Sequence, residues 1–249
     1  MPSQSRWSKF VRGAGIVGAV LLPIGALGSR FGIWPFLVGF LLLGVGVLLA
    51  VMALLVGVAR FVVSARRGAK SEYPALAIGA VLGLLVVGFV GSLLSSASGA
   101  PAIHNISTDL EDPPAFQAVL EFRQGANPHT YDARQQIGNA GTLGELQRAA
   151  FPDLTTLRTS VGVAEAVDRS VEVLESMGLE IVQVDRDNGI VEATDTTFWF
   201  GFKDDLVVRL RPSDDVTLVD VHSVSRVGGG DLGANAERIR TFLEQFESR

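Results

Sequence analysis

Apolar residues are spread unevenly along this chain. Three long runs occupy the first 94 positions, and shorter alternating or helical patterns follow. The runs cover about residues 13–29, 35–58 and 74–94, and a helix needs roughly 20 residues to cross the hydrocarbon layer of a membrane. No charged residue falls inside any of them, which disfavours an ion or proton path through the helices. Pro23 lies in the first run and Trp34 at the mouth of the second. Neighbouring helices tolerate such a proline, and an indole favours the membrane interface. The first run follows a basic leader, so it reads either as the first helix of a hairpin or as a cleaved signal peptide. The apolar stretch Phe31 to Phe36 favours an uncleaved helix and three spans.

The flanking charges predict an orientation. Arg6, Lys9 and Arg12 precede the first run, and Arg60, Arg66, Arg67 and Lys70 separate the second from the third; only Arg30 lies in the other connection. Lys and Arg stay on the cytoplasmic side during insertion. The expectation is therefore a multi-pass membrane protein with a cytoplasmic N-terminus and an extracytoplasmic C-terminal domain, which in a Gram-negative bacterial cell means the inner (plasma) membrane and the periplasm. The small-residue pairs Gly15/Ala19, Ala53/Gly57 and Gly79/Gly83 suit close helix approach, and Gly79 with Gly83 could carry an oligomer.

Residues 95–100, SSASGA, read as a short linker, and 101–249 as the domain. Up to Leu157 the pattern is irregular, with one short helix over Leu143 to Ala150. Beyond it, Thr159 or Ser160 caps a helix whose Ala164, Val167, Val171 and Leu174 recur at helical spacing before Gly178. Four strands follow, over Ile181 to Val184, Ile190 to Thr197, Leu206 to Arg211 and Val216 to Val224, the first two joined by Asp187-Asn188-Gly189. Asp231 caps a last helix with Leu232, Ala236, Ile239, Leu243 and Phe246 on one stripe. The predicted fold is α+β: three transmembrane helices, then an antiparallel four-stranded sheet covered on one face by two helices.

Alternation then divides the sheet. Leu206, Val208, Leu210, Val219 and Val221 point to the helices, which leaves Arg209, Arg211, Asp220, His222, Glu192 and Thr194 on an uncovered polar face. With Arg226 nearby, that face could hold an anion or a lipid head group, although cross-strand salt bridging explains the same residues. Phe198, Phe200 and Phe202 alternate with Trp199; three are expected in the core and Trp199 at the rim of a pocket. His104, Asp109, Glu111 and Asp112 could form a metal cluster or a turn. Gly228-x-Gly230-x-x-Gly233 matches a dinucleotide fingerprint in form, but no second parallel strand follows and Asp231 stands where a pyrophosphate would sit. No cofactor is expected.

Charge sharpens the division. Residues 1–94 hold eight Lys and Arg against one acid, and the remainder holds thirteen against twenty-five acids. An acidic domain is a poor partner for nucleic acid, and the absence of cysteine excludes disulfides and thiolate chemistry. Neither GxSxG nor HExxH occurs. His222 and Ser223, adjacent on one strand, face opposite ways and cannot pair.

Three strings carry a resemblance: Ile103 to Phe116 (IHNISTDLEDPPAF), Phe151 to Leu154 (FPDL), and Ser225 to Arg240 (SRVGGGDLGANAERIR). With them the chain resembles the domain of unknown function 1499 family over roughly Pro101 to Phe246. The resemblance implies a membrane-tethered bacterial protein and supplies no catalytic residues. The expected role is a binding or accessory module for an envelope component, either a partner protein or a lipid-like anion. The alternatives are a hydrolase-type enzyme using His104 or His222 with acids, and an assembly factor acting through its helices.

Overall fold

A computed structural model describes residues 5–96 and 99–249. The first four residues of the leader and positions 97–98 of the linker lie outside it. The chain divides into two compact units, one of apolar helices, with which residues 198–201 group, and one built on a sheet.

The first unit holds α1 (Arg6–Arg30), α2 (Phe36–Arg66) and α3 (Tyr73–Ser96), and each is long and apolar enough to cross a membrane. Ser5 starts α1 by accepting the Ser8 N–H (3.2 Å), and Pro23 is accommodated inside it. α2 runs eight residues beyond the expected Val58, because Phe61, Val62 and Val63 continue the helix up to Arg66. Small residues set the packing. Gly15 of α1 lies against Gly79 of α3, Gly79 also abuts the backbone of Val11, and Gly83 abuts Ala50 and Leu54 of α2. The Gly79/Gly83 face expected to carry an oligomer is thus filled by the chain's own α1 and α2. At one end of the unit, buried Ser64 donates through Oγ to buried Glu72, which ties the end of α2 to the short 3-10 turn Lys70–Glu72.

The second unit has β1 (Asn105–Ser107), a 3-10 turn (Ala118–Phe122), α4 (Leu143–Ala150), β2 (Leu157–Thr159), α5 (Val163–Ser176), β3 (Glu180–Asp185), β4 (Ile190–Thr196), β5 (Lys203–Ser213), β6 (Val216–Ser225) and α6 (Ala234–Glu247). The sheet is antiparallel and six-stranded, in the order β1-β6-β5-β4-β3, and β2 also pairs with β6. The four expected strands are β3 to β6. The two additional ones share a single edge: β1 lies opposite His222 to Val224, and β2 opposite Thr217 to Val219. Three residues each are too few to show a period of two.

α5 and α6 cover one face as expected. Ala166, Val167, Val173 and Leu174 of α5 and Ala236, Ile239, Phe242 and Phe246 of α6 meet Val191, Ala193, Leu206, Val208, Leu210, Val219 and Val221 of the strands. Three details of the helices differ from expectation. The N-cap of α5 is Gly162, without a side-chain cap, and Ala164 is exposed. Leu232 precedes α6, at a left-handed φ of 58° and exposed. Asp231 does cap α6, from outside, accepting from the N–H groups of Gly233 (2.9 Å) and Asn235 (2.8 Å). The carboxylate therefore fills the place that a phosphate would need, and the glycine string is a turn and a cap.

The other face of the sheet is covered, contrary to expectation. A strap formed by residues 108–127 lies across it, and Phe116 and Val119 of the strap make a second, smaller core with Ile190, Val207 and Val224. The aromatic run is also placed differently: residues 197–202 connect β4 to β5, and both Phe198 and Trp199 are exposed. Alternation cannot place side chains in a segment that is not a strand.

Candidate functional site

The polar side chains of the strap face form three groups, each joining sheet to strap. Alternation sets Glu192 and Thr194 on β4, Asp205, Arg209 and Arg211 on β5, and Asp220 and His222 on β6 toward this face.

At the centre, the buried Glu192 carboxylate accepts the backbone N–H groups of Gln117 (2.7 Å), Ala118 (3.1 Å) and Val119 (2.9 Å). These are the free donors at the start of the 3-10 turn, so a strand carboxylate caps the strap. His222, also fully buried, stands between Phe116 and Tyr131. Its Nδ1 is 2.7 Å from Pro114 O and its Nε2 is 2.6 Å from the Asn105 side-chain amide. Burial pushes its pKa down to about 4, with the charges of Arg123 and His129 acting in the same direction. Pro114 O can only accept, so the neutral ring donates from Nδ1. Nε2 faces Oδ1 of Asn105, whose Nδ2–H donates to Thr130 O (3.1 Å) and holds the amide in that sense, so the neutral ring satisfies only one of the two acceptors it faces.

At one end of the face, buried Asp205 accepts from Arg226 Nε (2.9 Å) and Nη2 (2.7 Å), from Thr194 Oγ1 (2.7 Å) and from Arg123 Nη1. Arg226 continues to Phe122 O and Arg123 to Asn127 O, both on the strap. Burial alone would raise the Asp205 pKa. The hydrogen bonds from Arg226 and Thr194, with the Arg226 charge and the Arg123 bond, outweigh it and hold the carboxyl below its ordinary range.

At the other end, Arg209 and Arg211 share three carboxylates. Buried Asp220 lies beneath them, 3.2 Å from Arg209 Nη2 and 2.8 Å from Arg211 Nη2, and also accepts Thr156 Oγ1 (2.6 Å). From the strap, Asp109 Oδ2 meets the same two Nη2 atoms at 3.4 and 3.2 Å. Asp112 Oδ2 meets both Nη1 atoms, at 3.1 and 3.0 Å. The Asp109 side chain also closes a turn by accepting the N–H groups of Glu111 and Asp112. Exposure rises outward, from none at Asp220 to 36% at the Arg211 side chain and 68% at Asp112. Nε of both arginines is buried without a partner.

The six residues expected to bind a ligand thus share one face, each engaged within the chain. The cluster of His104, Asp109, Glu111 and Asp112 is not assembled. Asp109 and Asp112 turn to the arginines and Glu111 to Arg148. His104 lies near Asp231 and Asp204, its pKa lowered by burial against their opposing charge. No group of three metal-binding side chains occurs among the described residues. Sequence reasoning missed Arg123 and Asn105, which carry no periodic signal, and Asp205, whose alternation with Val207 and Arg209 could have placed it. It also missed a network on the helix-covered face, where Arg238 joins Asp195 (2.7 Å) to Asp204 (2.8 Å) and to Asn235 Oδ1 (2.7 Å).

No curated protein matches this chain. The family described as "Protein of unknown function (DUF1499)" matches residues 105–246, a stretch that begins at β1, ends in α6 and contains the strap and all three polar groups. The chain belongs to the domain of unknown function 1499 family.

Proposed function

We propose that this is a membrane-anchored binding module whose domain, on the extracytoplasmic side of a bacterial plasma membrane, takes an anionic group of an envelope component onto Arg209 and Arg211. One observation carries the reading: a single oxygen of Asp112, on the most exposed side chain of the site, receives Nη1 of both guanidiniums. A carboxylate or phosphate arriving from solvent can take over those two bonds, because it offers the same acceptor geometry. Asp220 and Asp109 stay in place and keep the guanidiniums aimed. Asp112 thus acts as an internal occupant that an incoming anion displaces. The charge asymmetry of the helix connections supports the orientation.

The test is calorimetry on the detergent-solubilised full-length protein, titrated separately with inorganic phosphate and with acetate. Asp112→Ala vacates the position, so this variant should bind one or both anions more tightly than wild type, and adding Arg211→Ala should abolish the gain. Preference for phosphate would point to a lipid head group or another phosphorylated component, and preference for acetate to an acidic protein. If Asp112→Ala binds neither anion, the arginines serve only to fasten the strap and the reading fails.

A further inference from the structure

The connection between β4 and β5 carries a different surface, independent of the anion site. It is closed by the Thr197 N–H donating to Phe202 O (2.8 Å) and the Phe202 N–H donating to Thr197 Oγ1 (2.9 Å), and Gly201 takes the left-handed φ of 69° that the turn requires. Phe198 and Trp199 are 68% and 48% exposed, packed edge to face with ring centroids 5.2 Å apart.

The charge along this connection sets it apart from the sheet unit that it joins. Residues 95–249 hold nearly two acids for each base, yet positions 198–203 contain none, and Lys203 is the domain's one lysine. The next residue, Asp204, is buried against Arg238. Two exposed aromatic rings followed by an ammonium, in a run 198–203 without an acid, match the boundary between lipid head groups and acyl chains. Aromatic rings favour that boundary, and a lysine stem reaches back to the phosphates. The chain supplies its own bilayer, since three of its helices are apolar and long enough to span one. Eight residues separate Ser96 from Asn105, a tether of at most about 30 Å, so lipid is present at high effective concentration whatever else is bound.

We infer that the β4–β5 connection is an interfacial membrane anchor, with Phe198 and Trp199 dipping into the head-group region of the bilayer and Lys203 facing the phosphates. The anchor gives the domain a second attachment to the bilayer besides its tether.

Full-length protein with Trp7→Phe and Trp34→Phe, leaving Trp199 as the sole indole, tests this in phosphatidylcholine vesicles. The acyl chains carry bromine either near the glycerol or near the bilayer centre. Trp199 emission should be quenched more strongly by the shallow bromines than by the deep ones, and it should resist aqueous iodide. Quenching by iodide with no response to bromine would overturn the inference, as would emission insensitive to both, which would mean an indole shielded by protein. A second measurement keeps all three tryptophans. Because the chain has no cysteine, Phe198→Cys accepts a single nitroxide. The spin label should be more accessible to oxygen than to a water-soluble nickel chelate, and the reverse order would equally overturn the anchor.

Discussion

At the scale of single residues, the domain uses its buried ionisable groups to fasten the strap. His222 shows the consequence for pH. Its pKa falls from 6.5 to about 4 in the folded state, so as the pH drops the unfolded chain takes up the proton first. The stabilising contribution is whole above pH 6.5 and is lost progressively toward pH 4, a change of about 3 kcal/mol over that window. Asp205, with its depressed pKa, contributes stability that is lost only at lower pH, so the two effects separate. Protection of β6 amides against hydrogen exchange, corrected for intrinsic rate, should therefore decline between pH 6.5 and 4.5 in wild type and decline less in His222→Gln. Equal slopes would mean that the ring does not stay neutral. Glu192 shows the other kind of dependence, on saturated bonding. Glu192→Ala leaves a void at a buried position and strands three N–H groups, of which that of Val119 is buried, a loss of ~3–5 kcal/mol, and exchange at residues 117–123 should rise toward that of an open loop. Glu192→Gln should fall between, because one amide oxygen cannot serve three donors and its NH2 opposes them.

At the scale of elements, what could be read in the sequence followed the length of the pattern. The three apolar runs, α4, α5, α6 and β3 to β6 each sustain a period or an apolar run long enough to be seen. β1 and β2 borrow their conformation from the edge of β6 and show no pattern of their own. The strap is the instructive failure. Alternation placed Arg209, Arg211, Asp220, His222 and Glu192 together on one face, and that placement agrees with the structure. The covering of the face could not be read, because backbone N–H groups and carbonyls, with the irregularly spaced Asp109, Asp112 and Arg123, hold the strap there and leave no trace in side-chain periodicity. Leu110, Phe116 and Val119 give it a sparse apolar foothold. The helical unit yields a prediction at the same scale. Gly79 admits no side chain beside the backbone of Val11, whereas a Cβ on Gly88 meets nothing within 4 Å. Gly79→Leu should lower the thermal midpoint of the detergent-solubilised protein sharply, at a cost of about 1–3 kcal/mol or more from overpacking. Gly88→Leu should leave it within error of wild type, and equal effects would show that α3 packs by another face.

At the scale of the whole molecule, the organising fact is the segregation of charge. Seven of the eight basic residues before position 95 precede the first apolar run or lie between the second run and the third, and the acids are concentrated beyond α3. The cost of moving Lys and Arg across the membrane during insertion keeps basic connections inside, whereas a long acidic domain translocates with little regard to its charge. In the proposed orientation, three crossings from an inside start would put α6 outside. Removal of the first helix as a signal peptide would leave the sides of the later connections unchanged, so the orientation does not depend on that step. The lack of cysteine makes the arrangement directly measurable with two uncharged, exposed positions that leave the basic residues intact. Ser248→Cys, just after α6, should react with a membrane-impermeant maleimide in cells whose outer barrier has been opened. Ser71→Cys, between α2 and α3, should react only after the plasma membrane is lysed. The opposite pattern would place the domain in the cytoplasm. Labelling of both before lysis would mean that α3 does not cross, and that the basic connection fails to hold its side.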